Sequence, residues 1–124
     1  MTVQYELREE ESGITVVALS GQLNLGSRLT DLERNIKLRI ESGARKMVLD
    51  LGGLTYIDSA GIGMVASCAK AMAKAGGRLT VAAVGKIHHM FEVTRLNRVI
   101  GVFPDLPSAS SAASEPPASS SAEA

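Results

Sequence analysis

A carboxylate and a hydroxyl stand side by side at Asp58 and Ser59, and these residues have the clearest chemical potential in the chain. Both are good N-cap residues, because a short side-chain oxygen can accept the unpaired backbone N–H groups in the first turn of a helix. Gly61 and Gly63 follow, and their lack of a side chain would let a partner's backbone or a phosphate approach the helix start. A helix cap is the simplest interpretation, so a functional site requires more than this pair.

A dinucleotide site is one alternative, because residues 61–66 (GIGMVA) match the pattern G-x-G-x-x-A. That pattern should follow its strand directly, whereas about ten residues separate the predicted strand end at Leu51 from Gly61. The next predicted strand also has no acidic residue at its end to bind a ribose. We therefore do not expect a nucleotide-binding enzyme.

Hydrolase and metal chemistry have weak support. Asp58, Ser59 and a histidine include the residue types of a catalytic triad, but the chain has no G-x-S-x-G motif. His88 and His89 would point about 100° apart on a helix, so we expect surface or rim positions and no shared metal ion. Cys68 has no cysteine or histidine at metal-ligand spacing and is expected in or beside the core. From the sequence we therefore expect no catalytic residue, no metal site and no cofactor, and we do not expect the protein to be an enzyme.

Strands and helices alternate along the chain and place the Asp-Ser pair at a strand-to-helix junction. Val3, Tyr5 and Leu7 alternate with polar residues as in a half-buried strand, and Ser12-Gly13 predicts a hairpin into an apolar strand at 14–19. The other predicted elements are a helix at 27–42, a strand at 46–51, a helix through 62–73, a strand at 79–84, a helix through 87–91 and a strand at 99–103. The order β-β-α-β-α-β-α-β predicts an α/β fold with a mixed, mostly parallel sheet, an N-terminal β-hairpin and amphipathic helices packed on it.

Composition predicts the limits of the domain and excludes some classes of binding partner. The 124 residues suffice for one domain, predicted at 1–104. The tail at 105–124 is predicted to be disordered, because residues from Pro107 onward are almost entirely Ser, Ala, Pro and Glu; a short amphipathic turn beginning at Asp105-Leu106 stays open as an alternative. The formal net charge is zero and the 13 basic residues are scattered, so we expect no direct binding of nucleic acid. A single cysteine, no signal-peptide pattern and no apolar run of about 20 residues predict a cytoplasmic protein without membrane insertion.

The segment around the Asp-Ser pair resembles the signature of STAS-domain anti-sigma factor antagonists, bacterial signalling proteins that regulate transcription by partner switching. The similar segment comprises residues 56–63 (YIDSAGIG), with a strand before it and an alanine-rich amphipathic helix after it. The resemblance spans about residues 2–104 and includes residues 19–24 (LSGQLN) and 90–96 (MFEVTRL). It implies the STAS fold for the predicted α/β domain.

The resemblance also implies roles for residues near the helix start. In this family the serine directly after the aspartate is the phosphorylation acceptor, which implies Ser59. The unphosphorylated protein is expected to bind an anti-sigma factor that is a GHKL-type serine kinase and to release a sigma factor. Phosphorylation would break the complex, and a phosphatase would restore it. The expected partner-binding residues are Asn24, Asp58, Ala60, Gly61, Ile62 and Gly63, and for the Ile62 side chain we favour the core.

Three positions depart from the family pattern. Asn24 stands where many members carry an acidic residue, and Arg95 stands where the motif near the third helix has glycine. Ala60 replaces a frequent hydroxyl residue, which leaves Ser59 as the only hydroxyl residue at 59–63. An alternative within the fold stays open: a STAS domain that is not phosphorylated and acts as a scaffold or as a small subunit of a lipid-transport ATPase complex.

Overall fold

A five-stranded sheet with helices on both faces forms the fold, as the computed structural model of residues 2–10 and 12–115 describes it. The strands are β1 (Gln4–Glu9), β2 (Thr15–Leu23), β3 (Lys46–Ile57), β4 (Arg78–Ala82) and β5 (Gly101–Phe103). The helices are α1 (Ser27–Glu41), α2 (Ser59–Lys74), α3 (Gly85–Val93) and α4 (Leu106–Ala113), and a short 3-10 helix lies at Leu96–Arg98.

The sheet is mixed, as the sequence predicts. β1 pairs antiparallel with β2 through the hairpin, and β2, β3, β4 and β5 are parallel neighbours in that order. Parallel neighbours need crossover connections, which α1, α2 and α3 provide. The predicted element order is confirmed up to β5, and α4 is an additional element. Within the part of the chain that the structure describes, no helix is long and apolar enough to cross a membrane.

The main core lies between one face of the sheet and the helices α1, α2 and α3. Along β3, the alternate residues Met47, Leu49 and Leu51 are buried in this core, as the two-residue period of a strand requires. The helices cover them with fully buried side chains, among them Leu32, Ile36, Val65, Cys68, Met72 and Phe91. Burying one large aliphatic or aromatic side chain stabilises a fold by about 1.5–3 kcal/mol, so this layer fixes the helices on the sheet.

The second face of the sheet is covered by α4, and the prediction of a disordered tail from residue 105 is wrong for this helix. Ala109 is fully buried in a separate small core with Val48 and Ala82. Thr80 is also fully buried, and its hydroxyl donates a hydrogen bond of 2.8 Å to the carbonyl of Ala109. The folded domain therefore extends past the predicted boundary at 104. Residues 116–124 of the predicted tail lie outside the described residues.

Small side chains explain why the composition was misleading. An alanine-rich helix has little apolar surface of its own, but it can lie close to a sheet face that already carries Val16 and Val48. The Asp105 side chain accepts a hydrogen bond of 2.8 Å from the backbone N–H of Ser108, and Pro107 lies in the first turn. Both features favour a helix start at this point. The face of the sheet against which α4 packs, and not the composition of the segment, thus determines that α4 folds.

β3 continues through the segment that the sequence assigned to a loop. The strand has 12 residues, Lys46–Ile57, whereas the prediction ended it at residue 51. β2 likewise runs to Leu23 instead of residue 19, and the extended parts of the two strands pair with each other across two register shifts. Gly53 permits this close pairing, because a Cβ atom there would lie 2.8 Å from the carbonyl oxygen of Leu19. β3 therefore ends directly before the Asp-Ser pair.

The packing of α4 can be tested with one substitution on each side of the helix. Ala109→Leu should destabilise the domain by about 1–3 kcal/mol, because the larger side chain would push α4 away from the sheet. Ser111→Leu, at an exposed position of the same helix, is the matched control and should change the free energy of unfolding by no more than about 0.5 kcal/mol. Urea unfolding followed by circular dichroism measures both. Equal stabilities of the two variants would contradict the docked position of α4.

Candidate functional site

The Asp-Ser pair lies where β2 and β3 end side by side, at the carboxyl edge of the parallel strands. Leu23 and Ile57, the last residues of the two strands, are paired in register. The backbone N–H of Asp58 then donates a hydrogen bond of 3.2 Å to the carbonyl of Leu23. The loop from β2 to α1 and the start of α2 are therefore neighbours, at the edge of the sheet where open α/β proteins bind their ligands.

Asp58 joins these two segments with a single carboxylate. Its Oδ1 atom accepts a hydrogen bond of 2.8 Å from the backbone N–H of Gly61, which makes Asp58 the N-cap of α2. Its Oδ2 atom accepts a hydrogen bond of 3.0 Å from the backbone N–H of Leu25, in the loop after β2. The sequence left open which residue of the pair caps the helix, and in the structure the cap is Asp58.

The Asp58 carboxyl has a pKa below its ordinary value of 3.8. Burial acts in the opposite direction and would raise the pKa, but hydrogen bonds from backbone N–H groups, first those of Gly61 and Leu25, outweigh it. The side chain is therefore ionised at neutral pH, in a position where the helix dipole also favours negative charge. With both oxygens accepting backbone hydrogen bonds, Asp58 is suited to holding the site together and not to transferring protons.

Ser59 is the first residue of α2 and is exposed. Among the described residues, none forms a hydrogen bond with its hydroxyl, and the cap position is filled by Asp58. The hydroxyl is thus accessible to another protein at the positive end of a helix dipole, where an anionic group would be stabilised. This arrangement can accept a phosphate without breaking an existing contact of the serine.

Gly61 and Ile62 are buried, so the structure does not support the expectation that they contact a partner. A Cβ atom on Gly61 would lie 2.6 Å from the carbonyl oxygen of Leu23 and 2.8 Å from the Ile57 side chain. Only glycine therefore allows α2 to lie this close to β2. The side chain of Ile62 is only 5% exposed and belongs to the main core, as we favoured from the sequence.

Three of the other predicted partner-binding residues do reach the surface. Asn24 and Ala60 are half-buried, and Gly63 is exposed, where a Cβ atom would have no described neighbour within 4 Å. Gly63 and Ala60 therefore leave the start of α2 flat, so that a second protein can come close to Ser59. Asn24 lies in the loop that Asp58 ties to the helix.

The dinucleotide alternative is rejected, although one of the two grounds that the sequence offered does not hold. The predicted gap before the glycine motif is wrong, because β3 extends to Ile57 and only three residues lie between its end and Gly61. Gly61 is nevertheless explained by packing, because its lack of a side chain lets α2 lie against the carbonyl of Leu23. The next strand, β4, ends at Ala82 without an acidic residue for a ribose.

Two exposed residues near Ser59 were not among the predicted partner contacts. Leu25 is 80% exposed although it is aliphatic, and its backbone N–H is the group bound by Asp58. Tyr56, two residues before Asp58, is 49% exposed. The sequence gives only a weak signal for Leu25, which is a leucine between Asn24 and Gly26 in a predicted loop. Hydrophobic periodicity predicts burial or exposure only for residues within helices and strands.

The histidines and the cysteine take no part in this site. Both histidines lie on α3, where His88 and His89 contact Glu92 at 3.9 Å and 3.5 Å, respectively; the predicted surface or rim position is confirmed. Cys68 is fully buried, as predicted for a core residue. Burial raises the pKa of its thiol to about 12, so this cysteine stays protonated and unreactive.

The mixed sheet and the capped helix start are features of a STAS domain, and a sequence profile of the STAS domain matches residues 6–109, which include the first half of α4. BtrV of Bordetella bronchiseptica, assigned as an anti-sigma factor antagonist, is 32% identical over 92 residues, or 74% of this chain and 77% of BtrV. The crystal structure of an anti-sigma factor antagonist from Mycobacterium paratuberculosis matches with a TM-score of 0.80 at 22% identity, over 91% of this chain and 95% of that chain. The phosphorylated form of the Bacillus cell fate determinant SpoIIAA matches with a TM-score of 0.67 at 18% identity, over 82% and 93% of the two chains.

The chain belongs to the STAS-domain family of anti-sigma factor antagonists. The family profile covers most of its length, and BtrV is related closely enough to support the same assignment. The two solved structures are less than 25% identical and add evidence for the fold. The named relatives are regulatory proteins.

The bridging role of Asp58 predicts different effects for two neighbouring substitutions. Asp58→Ala should destabilise the domain by about 0.5–2 kcal/mol, because the N-cap interaction with α2 is lost. Ser59→Ala is the matched control and should change the free energy of unfolding by less than about 0.5 kcal/mol, since the serine hydroxyl makes no bond in the described structure. Chemical unfolding of both variants gives the comparison. A larger loss for Ser59→Ala would mean that the serine is the cap.

Acidification should remove the contribution of Asp58. Because its pKa is lowered in the folded state, its stabilising effect is fully present above the ordinary value of 3.8 and decreases as pH falls through the lower folded-state value. We expect the difference in unfolding free energy between wild type and Asp58→Ala to be constant from about pH 7 to about pH 5 and to shrink below about pH 4. Urea unfolding of both proteins across this pH range measures the difference. A difference that persists unchanged at about pH 2 would contradict an ionised cap.

Proposed function

We propose that this protein, in its unphosphorylated form, binds an anti-sigma factor that is a GHKL-type serine kinase, so that a sigma factor is released. Phosphorylation of Ser59 by the same kinase then ends the interaction, and a phosphatase restores it. The observation that carries the proposal is the exposed hydroxyl of Ser59, which has no bonding partner among the described residues, at a helix start that Asp58 holds in place. The structural similarity to a relative that exists in a phosphorylated form supports it. Sigma factors act in the bacterial cytoplasm, where we also expect this protein.

Phosphorylation at this position would change the surface and spare the fold. A phosphate adds about 1.5–2 negative charges and three acceptor oxygens. The N-terminus of α2 tolerates that charge, because the helix dipole is positive there. The cap hydrogen bonds belong to Asp58, so they do not have to be replaced when Ser59 is modified. A partner packed against Ala60 and Gly63 would instead meet an added, desolvated charge, and its affinity would fall.

Asn24, at a position where many family members carry an acidic residue, limits how a kinase can recognise the site. Asn24 lies in the loop tied to the helix start and supplies no carboxylate. Asp58 is the acidic side chain that the structure places next to Ser59, and it is already bound to two backbone N–H groups. A kinase that recognises this site therefore reads the backbone shape and the small side chains of the helix start more than a cluster of negative charge.

Phosphate transfer can be tested directly with a GHKL-type anti-sigma kinase from the same genome. We expect incubation with ATP to add one phosphate to the wild-type protein, located at Ser59 by peptide mass spectrometry, and to add none to Ser59→Ala. Ser27→Ala is the matched control, because Ser27 is likewise an exposed first residue of a helix, and it should be phosphorylated like the wild type. Phosphate at another residue in Ser59→Ala would refute the assignment of the acceptor.

The effect of the charge on binding is a separate prediction. Ser59→Asp should fold normally, because an acidic side chain in the first turn is favourable, but it should bind the kinase at least about ten-fold more weakly than Ser59→Ala. Isothermal titration calorimetry of the two variants measures the difference. Equal affinities would contradict the switch, and binding of the wild type without phosphate transfer would favour a constitutive adaptor. Absence of both would favour the scaffold or transporter-subunit alternative.

A further inference from the structure

β1 is an edge strand whose outer side has no partner strand among the described residues. It pairs only with β2 and stands first in the order of the sheet. An unpaired edge presents backbone N–H and C=O groups that can bind a further strand. The opposite edge of the sheet is shorter, because β5 has three residues whereas β1 has six. β1 is therefore the longer of the two edges to which a strand can be added.

The hairpin shows which residues of β1 direct their backbone groups outward. In an antiparallel pair, residues that exchange hydrogen bonds with the partner strand alternate with residues that do not. The backbone N–H of Glu10 donates to the carbonyl of Ile14 at 2.9 Å, so the even-numbered residues of β1 are the ones bonded to β2. The odd-numbered residues therefore offer their N–H and C=O groups to a new strand, and they are Tyr5, Leu7 and Glu9.

Arg28 limits this free edge at its N-terminal end. Val3 continues the odd-numbered set, and its carbonyl accepts hydrogen bonds of 3.2 Å and 3.0 Å from the Nε and Nη2 atoms of Arg28. The same guanidinium lies over the ring of Tyr5, with its central carbon 5.6 Å from the ring centroid. A strand that adds to β1 therefore has a defined segment to pair with, residues 5–9.

An apolar groove accompanies the free edge on the side of α1. It has a volume of about 280 Å³ and is lined by Leu7, Asn35, Leu38, Arg39 and Ser42. Leu7 is half-buried against the main core, and the side chain of Leu38 is 50% exposed. A strand paired with β1 would cover both leucines, so burial of apolar surface would add to the backbone hydrogen bonds.

The charges on β1 favour a second copy of this chain as the occupant. Glu6 and Arg8 are exposed and lie on the sheet face away from α1, because they alternate with residues that pack on the main core. If two β1 strands pair antiparallel about a two-fold axis at Leu7, Glu6 of each strand lies opposite Arg8 of the other. The contact of Arg8 with Glu10 at 3.5 Å joins two exposed side chains and would compete only weakly.

The same axis satisfies the backbone groups, and the charges disfavour its neighbours. With the axis at Leu7, the two Leu7 residues form one bonded pair, and Tyr5 of each strand pairs with Glu9 of the other, so all outward groups find partners. An axis at Glu6 would place two glutamates opposite each other, and an axis at Arg8 would place two arginines opposite each other. Like charges directly opposite are destabilising, so the charges select the axis at Leu7.

We propose that this chain forms a symmetric dimer in which β1 pairs antiparallel with β1 of a second copy about an axis at Leu7. One continuous sheet then runs through both copies. The two-fold axis reverses the strand directions, so the carboxyl ends of β2 and β3 in the two copies point away from each other. Ser59 lies at that end and not on β1, so both hydroxyls stay accessible. The dimer does not depend on the proposed function.

Sedimentation velocity of the full-length protein tests the dimer. The wild type should change from monomer to dimer as its concentration rises from about 1 µM to about 1 mM. Arg8→Glu should weaken association about ten-fold or more, because it places two glutamates opposite each other twice. Lys70→Glu, an equal change of charge at an exposed position of α2, is the matched control and should stay within about two-fold. Melting temperatures of both variants should stay within a few degrees of the wild type.

Exchange of the two charges provides a rescue experiment. The double variant Glu6→Arg with Arg8→Glu again places opposite charges across the axis, so it should recover dimerisation to within about three-fold of the wild type. A double variant that associates as weakly as Arg8→Glu would overturn the axis at Leu7.

Disulfide trapping tests the pairing of individual residues. With the axis at Leu7, the Cα atoms of Glu6 and of Arg8 in the second copy form a non-hydrogen-bonded pair about 4.5 Å apart, which a disulfide can span. Under mild oxidation, a mixture of Glu6→Cys and Arg8→Cys should therefore give mainly the mixed disulfide dimer. The native Cys68 is fully buried and does not compete.

Three results would overturn the proposed dimer. The first is a wild-type protein that stays monomeric up to about 1 mM. The second is a dimer that Arg8→Glu weakens no more than Lys70→Glu does. The third is a mixture in which Glu6→Cys or Arg8→Cys forms disulfides mainly with itself, because the axis would then lie at another residue. None of these results bears on the phosphorylation of Ser59.

Discussion

The two hydrogen bonds accepted by the Asp58 carboxylate hold the site together. One bonds to the backbone N–H of Gly61 and the other to that of Leu25, so a single side chain satisfies two backbone groups from different segments. This is possible because β2 and β3 end level with each other, at the register pair of Leu23 and Ile57. The parallel pairing of two strands thereby determines the position of a serine that neither strand contains.

Close packing is the second condition for this geometry. Because Gly61 has no side chain, α2 can lie against the carbonyl of Leu23, and a Cβ atom at that distance would push the helix away from β2. A second attachment lies further along α2, where the Lys37 ammonium group of α1 donates to the hydroxyl of Ser67 at 2.7 Å and to the carboxylate of Glu33 at 2.8 Å. The hydrogen bond between Lys37 and Glu33 raises the pKa of Lys37 and lowers that of Glu33, so both stay charged near neutral pH. The helix with Ser59 is thus fixed at its start and along its length.

The sequence predicted the features that depend on local patterns. Hydrophobic periodicity located the strands and helices, and the short polar side chains of the Asp-Ser pair identified a helix start. The features it missed depend on contacts between distant segments. A pair of glycines such as Gly52 and Gly53 predicts a turn. Only the pairing with the neighbouring strand β2 shows that they belong to β3. The alanines of α4 have no apolar pattern strong enough to predict burial, because the valines that cover them lie on β2 and β3.

The same limit applied to the site. Periodicity and composition could not decide which residue of the Asp-Ser pair caps α2, because either type can do so. That distinction matters for a switch. If a serine were the cap, a phosphate would have to replace the hydrogen bonds of its own oxygen, and modification would disturb the helix as well as the surface. With the cap on Asp58 and the hydroxyl of Ser59 unbonded in the described structure, the residue that maintains the fold and the residue that can be modified are adjacent but separate. A change of about two charges at Ser59 would then act on whatever protein covers the helix start, while the hydrogen bonds that position Leu25 and α2 stay in place.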